Sequence, residues 1–283
     1  MTTPVLQRLH ELYPAAKIDI VADKRSVELL EPCPFVDRIV LKIKKSGFKG
    51  LLKLVSELRQ KRYDLIVDLR TDGLSWLLKG KKRLTKRLID PSATHSVEQH
   101  YSIIRSITGE ADPIGTKLWL SDAHRKEAEA IIPDADNILA IGPGANWEGK
   151  IWPAEYFSQL INSLSEQFDH VVFLGGPQDQ ERVSQVQANI QLPSTDLSAK
   201  TSLLTATAVL ERSKLFVGND SGLGHLASAV GTTAITVFGP GQPQKYHPWG
   251  KQHIWCRAPS EQLQDLKSDV VARSVQQSLN QSL

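Results

Sequence analysis

The segment Leu215–Pro240, LFVGNDSGLGHLASAVGTTAITVFGP, leaves the surrounding fold little freedom. Leu215-Phe216-Val217 is a short apolar run closed by Gly218, the length of a buried strand. In the polar turn Asn219-Asp220-Ser221-Gly222, Ser221 is a favourable N-cap and Gly222 allows close approach to the backbone. Leu223, Leu226, Ala227 and Val230 then recur at helical spacing up to Gly231, and the β-branched run Thr233–Val237 reads as the next strand. Strand, tight turn, helix and strand in that order aim free N–H groups and a helix N-terminus at an anion, the geometry of a phosphate cradle.

The same alternation runs through the chain. Helical spacing over Pro4–Tyr13 is followed by strand patterns at Lys17–Ala22 and Ile39–Ile43. Phe48, Leu51, Leu52, Val55 and Leu58 form an amphipathic helix, and Leu65–Val67 is another buried run. Beyond Ser121, a helix runs to Ile132 and strands are expected at Ile138–Ile141 and Val171–Leu174. Between these two strands, Pro153 opens a helix through Leu164, and helices follow at 178–190 and Leu203–Leu210. This pattern predicts parallel βαβ winding, in which each loop after a strand lies on one rim of the sheet.

A chain of 283 residues suits two domains, and charge divides it. Residues 1–121 carry 22 basic against 14 acidic side chains, a balance of +8; residues 122–283 carry 12 against 17, a balance of −5. Gly109–Gly115 is turn-rich and reads as the approach to a linker, with a helix starting after Ser121, so the boundary is placed near 121. Lys79–Arg87, KGKKRLTKR, has six basic residues in nine positions and reads either as an anion-binding face or as a solvated turn. Little interleaved aromatic character argues against nucleic acid. Cys33 and Cys256 are too isolated for a disulfide framework, and no apolar run nears the ~18 residues of a membrane span. The chain shows no secretory signal, so a cytoplasmic setting is expected.

Candidate ligand residues gather after the strands. Gly142-Pro143-Gly144-Ala145-Asn146 is a glycine-rich turn, and Lys150 follows just ahead of a helix, in reach of a phosphate. Asp179 and Glu181 suit ribose hydroxyls or a helix N-terminus equally. Gly218-Asn219-Asp220-Ser221-Gly222 misses the hydrolase pattern Gly-x-Ser-x-Gly by one place. Gly222-Leu223-Gly224-His225-Leu226-Ala227 matches GxGxxA only loosely, with no acidic residue about 20 positions on. His225 stands one helical turn beyond Ser221, within reach of the same ligand. No metal site is expected.

The motifs Thr2-Thr3-Pro4-Val5-Leu6, Tyr63-Asp64-Leu65-Ile66-Val67-Asp68-Leu69, Pro143-Gly144-Ala145 with Lys150-Ile151-Trp152-Pro153, Asp220-Ser221-Gly222 with His225, and Phe238-Gly239-Pro240 follow one another along nearly the whole chain. Together they resemble glycosyltransferase family 9, the ADP-heptose:lipopolysaccharide heptosyltransferases. The resemblance implies an α/β fold of GT-B type: two Rossmann-like domains facing across a cleft, with the anionic acceptor on the N-terminal domain and the sugar nucleotide on the C-terminal one. The last helix would pack back on the first domain.

The implied reaction moves a heptose or related sugar from an ADP-sugar to a lipopolysaccharide core, with inversion and without metal or cofactor. Peripheral contact with the inner face of the inner membrane is implied as well. Other readings are a GT-B enzyme using a UDP- or GDP-sugar, and a non-catalytic sugar-nucleotide binder. Asp220, Ser221, Gly222 and His225, with Leu223 and Gly224 beside them, would meet the diphosphate and nearby sugar. Gly144, Ala145 and Asn146 would line the same site, and Lys150 would neutralise the leaving diphosphate. Asp179 or Glu181, and the loop at Thr201, would meet the nucleoside. In the family a strand and a Gly-Asp turn precede the Thr-Thr-Pro helix, and that Asp is the proposed base. This chain opens at Met1-Thr2-Thr3-Pro4, so weak turnover is the expectation; Asp23 and Asp72 are candidate substitute bases, with nothing in their spacing to argue for either.

Overall fold

The computed structural model describes residues 1–43, 47–70, 72–109, 111–250 and 252–281. They form two compact units, Met1–Trp119 and Leu120–Leu283. In the first, the order is α1 (Thr3–Leu12), β1 (Ile18–Ala22), α2 (Lys24–Leu30), β2 (Val36–Leu41), α3 (Gly47–Leu58), β3 (Tyr63–Asp68), α4 (Asp72–Leu77), β4 (Gly80–Thr85), α5 (Ser96–Ser102) and α6 (Arg105–Thr108). The second runs α7 (Asp122–Ile131), β5 (Ile138–Gly142), α8 (Ala154–Ser163), β6 (His170–Phe173), α9 (Gln180–Gln187), β7 (Ser194–Asp196), α10 (Leu203–Arg212), β8 (Leu215–Asn219), α11 (Gly222–Ala229), β9 (Thr233–Phe238), α12 (Pro243–Tyr246), β10 (His253–Arg257) and α13 (Ser268–Gln281).

The second unit is built on a six-stranded parallel sheet in the order β10-β9-β8-β5-β6-β7. β5, β8 and β9 are buried along their whole length, as expected for apolar strands covered on both faces. From β5 the chain winds outward through β6 and β7; from β8 it winds the other way through β9 and β10. The direction of winding therefore reverses between β5 and β8, and a parallel sheet opens a crevice at the carboxyl end of such a reversal. Trp152 and Phe157 anchor one face of the core, and the Trp152 indole N–H donates to the Leu266 carbonyl at 2.7 Å. The last helix, expected to pack back on the first domain, contributes Val271, Ala272 and Val275 to this second core.

The strands of the first unit form two parallel pairs, β1 with β2 and β3 with β4. A charged cluster ties three of them at their amino ends. The Asp19 carboxylate, its side chain 4% exposed, accepts from Arg38 at 2.8 Å, the Tyr63 hydroxyl at 3.0 Å and Lys61 at 3.1 Å. Here the basic stretch Lys79–Arg87 is not a turn, and Lys81, Lys82, Lys86 and Arg87 are exposed along it. Most of it is β4, and the Arg83 guanidinium is spent on the carbonyls of Ser75, Leu78 and Gly80. Lys81 pairs with Asp64 at 2.7 Å on the surface. His95 is structural: its Nδ1 accepts from the Val97 N–H and so caps α5.

Burial alone would raise the Asp19 carboxyl, but the Lys61, Tyr63 and Arg38 donors outweigh it and hold it below the ordinary carboxylate value. A carboxyl depressed in the folded state contributes stability above its unfolded pKa and loses it as pH falls through the folded value. Asp19→Ala is expected to cost about 1–3 kcal/mol at neutral pH, limited because Arg38 and Lys61 stay partly hydrated. Denaturant titrations of wild type and Asp19→Ala should differ at pH 7 and converge as the solution is taken below pH ~4.

Candidate active site

The crevice between β5 and β8 is held shut at its base by one amide. Asn219, the last residue of β8, is completely buried. Its Nδ2 donates to the Pro143 carbonyl at 2.7 Å and its Oδ1 accepts from the Trp152 N–H at 3.0 Å. One side chain thereby joins the turn after β5, the segment entering α8 and the end of β8.

Lys150 sits between those anchors, closing the helical turn Glu148–Lys150. Its ammonium pairs with the Asp220 carboxylate, with Asp220 nearly buried and Lys150 a quarter exposed. Asp220 extends the strand ladder, its N–H donating to the Val237 carbonyl at 3.1 Å. The loop after β9 folds beside it: a Cβ on Gly241 would stand 2.9 Å from the Asp220 carboxylate. A compact cation is thus held at the switch point by a carboxylate that is itself fixed in backbone.

Next to this pair begins α11. Ser221 is its N-cap in extended conformation, yet its hydroxyl makes no cap bond; Ser221 Oγ is buried without a hydrogen-bond partner. A Cβ on Gly222 would meet nothing, so the space above the first turn is open. Uncapped N–H groups, the positive end of the helix dipole and an unsatisfied hydroxyl together suit a phosphate oxygen. His225 is half-buried one turn along α11. Leu223 and Gly224 serve packing: Leu223 reaches Gly142, and Gly224 lies so close to Thr236 that a Cβ would come within 2.7 Å.

On the other side of β5, Asp179 is 5% exposed and accepts from the Gly176 N–H at 2.8 Å, while its Oδ1 is buried without a partner. It presses on the glycine turn; a Cβ on Gly144 would fall 2.1 Å from the Asp179 carboxyl. Ala145 is half-buried and Asn146 exposed at the same turn. Glu181, the other acid proposed for this place, is exposed on the first turn of α9. Thr201 is half-buried just before Ser202, the N-cap of α10. The loop leading to it is drawn toward the rim by Ala199, whose N–H donates to the Gly175 carbonyl at 2.9 Å and whose φ is 59°. A left-handed alanine is uncommon and marks a strained loop beside the crevice.

Sequence reasoning missed Asn219, Gly241 and Ala199. Asn219 was legible as a polar residue ending an otherwise apolar strand; the other two depend on contacts far along the chain. An Asp-x-Asp spacing does occur, at Asp134-Ala135-Asp136, unweighed in the expectation of a metal-free site. It precedes the amino end of β5, opposite the rim, with Asp134 fully exposed. Among the described residues no group of three or more His, Cys, Asp or Glu is placed to hold a metal ion. Asp23, a candidate substitute base, is engaged as the N-cap of α2, accepting from the Ser26 N–H at 3.1 Å. The Asp72 side chain lies outside the described residues.

Asn219→Ala should strand both the Pro143 carbonyl and the Trp152 N–H in a buried setting, at a cost of about 2–4 kcal/mol in urea unfolding. Asn219→Asp is expected to fare no better, because a carboxylate cannot donate to Pro143.

Residues 78–275 match the family model of glycosyltransferase family 9 (heptosyltransferase). Lipopolysaccharide heptosyltransferase 3 of Escherichia coli K12 is 27% identical over 90% of this chain and 83% of its own length. The crystal structure of the glycosyl transferase family 9 protein from Veillonella parvula DSM 2008 superposes with a TM-score of 0.86 at 21% identity, covering 99% of this chain and 93% of that one. E. coli heptosyltransferase WaaC superposes in its complexes with ADP (TM-score 0.80, 22% identity, 98% and 95% coverage) and with ADP-2-deoxy-2-fluoro heptose (0.78, 22%, 98% and 94%). The fold is the α/β GT-B type, and the chain belongs to glycosyltransferase family 9, the heptosyltransferases.

Proposed function

We propose that this chain transfers a heptose from an ADP-heptose donor to a lipopolysaccharide core acceptor, and that the second unit holds the donor. The observation that carries the reading is the Lys150–Asp220 pair set beside the open N-terminus of α11 at the switch point. Before donor arrives, Asp220 keeps the ammonium oriented. A bound diphosphate accepts from Ser221 Oγ and the first N–H groups of α11, and draws Lys150 toward its oxygens. Asp179 and the Gly144 turn face the nucleoside side of the same crevice, with Thr201 at its edge.

In the reaction an acceptor hydroxyl attacks the anomeric carbon from the face opposite the diphosphate. The C–O bond to the nucleotide breaks, its electron pair leaves with ADP, and the hydroxyl proton passes to a base. Attack from the opposite face inverts the anomeric centre. Negative charge grows on the leaving phosphate in the transition state, and Lys150 with the α11 dipole stabilises it there without a metal. Relatives named as lipopolysaccharide heptosyltransferases, and a structural neighbour solved with ADP and with a fluorinated ADP-heptose, support the choice of donor and acceptor. No helix of the described residues is long and apolar enough to cross a membrane, and we place the reaction on the cytoplasmic side.

Donor binding and turnover are tested separately. Calorimetric titration with ADP, UDP and GDP should show preference for ADP; equal binding of all three, or none, overturns the donor assignment. Lys150→Ala should lower kcat/KM by about 10²–10³-fold, the range for losing one preorganised charge on a leaving group. ADP affinity should fall much less, because a Lys150 contact strengthened in the transition state acts mainly on rate.

A further inference from the structure

We propose that the second unit holds a further site, for a neutral sugar ring, in a cavity that shares the Lys150 turn with the diphosphate crevice. The choice of a sugar rests on the transfer proposed above. The cavity measures about 310 Å³ and lies between three segments. One wall is Glu148, Gly149 and Ile151, the turn from which Lys150 reaches Asp220. Pro240 forms the second, next to the Gly241 that stands close to the Asp220 carboxylate. The third is Glu261–Gln264, between β10 and α13. Neither Lys150, Asp220 nor Ser221 lines the cavity, so it is distinct from the crevice although two backbone segments serve both. Its walls are fixed before any ligand arrives. Glu261 has a φ of 67°, in the left-handed region that a side chain disfavours. The Glu261 carbonyl packs so near Gly239 that a Cβ there would stand 2.6 Å away. Leu263 is buried in the core, and the Ser260 hydroxyl donates to Asp265. Across the cavity the Trp147 indole lies on Gly149, where a Cβ would meet the ring at 2.0 Å. A strained backbone over-determined by packing is the mark of a ligand clamp.

The chemistry of the lining selects the occupant. Among the described residues that line the cavity none is lysine or arginine, which leaves a phosphate or carboxylate without a counter-charge. Its two carboxylates are already paired, Glu148 with Arg182 at 3.2 Å and Glu261 with Arg257 at 3.2 Å. That pairing makes them poor ligands for a metal ion, yet a carboxylate keeps lone pairs that accept from hydroxyl groups. Gln262 and Gln264 are exposed, and a carboxamide both donates and accepts. Ile151, Pro240 and Leu263 add an apolar patch. Such a lining suits a ring with hydroxyls at its edge and C–H bonds on its face. The volume stands at the low end of the roughly 300–1,000 Å³ of ligand pockets, which suits one ring and not a whole nucleotide. The ring has two sources with the same chemistry, the sugar of the donor and a sugar of the acceptor.

The experiment compares the whole chain with Gln262→Ala plus Gln264→Ala, which removes both carboxamides at exposed positions; thermal melts should match and report that the variant folds. Calorimetry follows ADP and ADP-heptose, and saturation-transfer NMR follows free heptose with and without ADP. If the donor's sugar enters the cavity, ADP-heptose binds wild type more tightly than ADP does. The double variant then loses that difference, roughly fivefold per hydrogen bond, while its ADP affinity stays the same. If the acceptor's sugar enters, free heptose gives a transfer signal that the variant weakens, and ADP-heptose affinity does not move. A folded variant that changes neither ADP-heptose affinity nor the free-heptose signal overturns the proposal. Calcium binding by wild type that Glu148→Gln abolishes would make the cavity a cation site and overturn it as well. Failure of ADP to bind defeats the donor assignment alone, because the free-heptose arm without nucleotide still decides the cavity.

Discussion

The amide of Asn219 is the contact on which the second unit of this protein depends. Fully buried, it can donate to one neighbour and accept from another, and both neighbours are backbone groups that no secondary structure satisfies. Buried backbone groups need partners. By meeting that need at the reversal of the sheet, Asn219 sets the distance between the turn after β5 and the segment carrying Lys150. Asp220 follows it in the chain and is aimed by the same strand. The ammonium–carboxylate pair is therefore placed by backbone, and its side chains have little left to search. In the transfer proposed above this placement matters, because a charge that must reorganise during reaction gives up much of its effect.

The two units use charge differently. In the second, the Lys150–Asp220 pair stands at an open crevice, beside an unpartnered Ser221 hydroxyl and an uncapped helix. Those are features of a place awaiting a ligand. In the first, Asp19 gathers three donors from β2, β3 and the approach to β3, and Arg83 caps three carbonyls. These charges are consumed in holding strands together. Part of the positive charge counted in the first half is therefore committed inside that unit, Arg83 to backbone carbonyls and Arg38 to Asp19.

Much of the architecture was legible in advance because parallel βαβ units write themselves into a chain. Buried strands such as Ile138–Ile141 and Leu215–Val217 are apolar on both faces, and helices such as Ala154–Ser163 repeat at 3.6 residues. Elements with weaker patterns were not legible. β4 is mostly lysine and arginine on its exposed positions, and β7 is Ser-Thr-Asp, so neither shows the apolar run by which strands are found. Both form because a neighbouring strand offers a ladder, which is a tertiary fact.

For the site the division is similar. Sequence alone determined that Gly144, Lys150, Asp220, Ser221 and His225 follow strands, and a parallel sheet carries such residues to one rim by symmetry of winding. Only the tertiary structure decided what each does there. It placed Asp179 against Gly144 and left Glu181 exposed on α9, since pairing depends on how two loops approach across β5 and β6. It joined Lys150 to Asp220 over a separation of 70 residues and made Asn219 the brace behind both. It also turned Gly224 into a packing residue, because the room available at a glycine is set by the element across from it. Local pattern specifies elements and the ends at which they terminate; which polar groups meet is settled by distances that exist only once the sheet is formed.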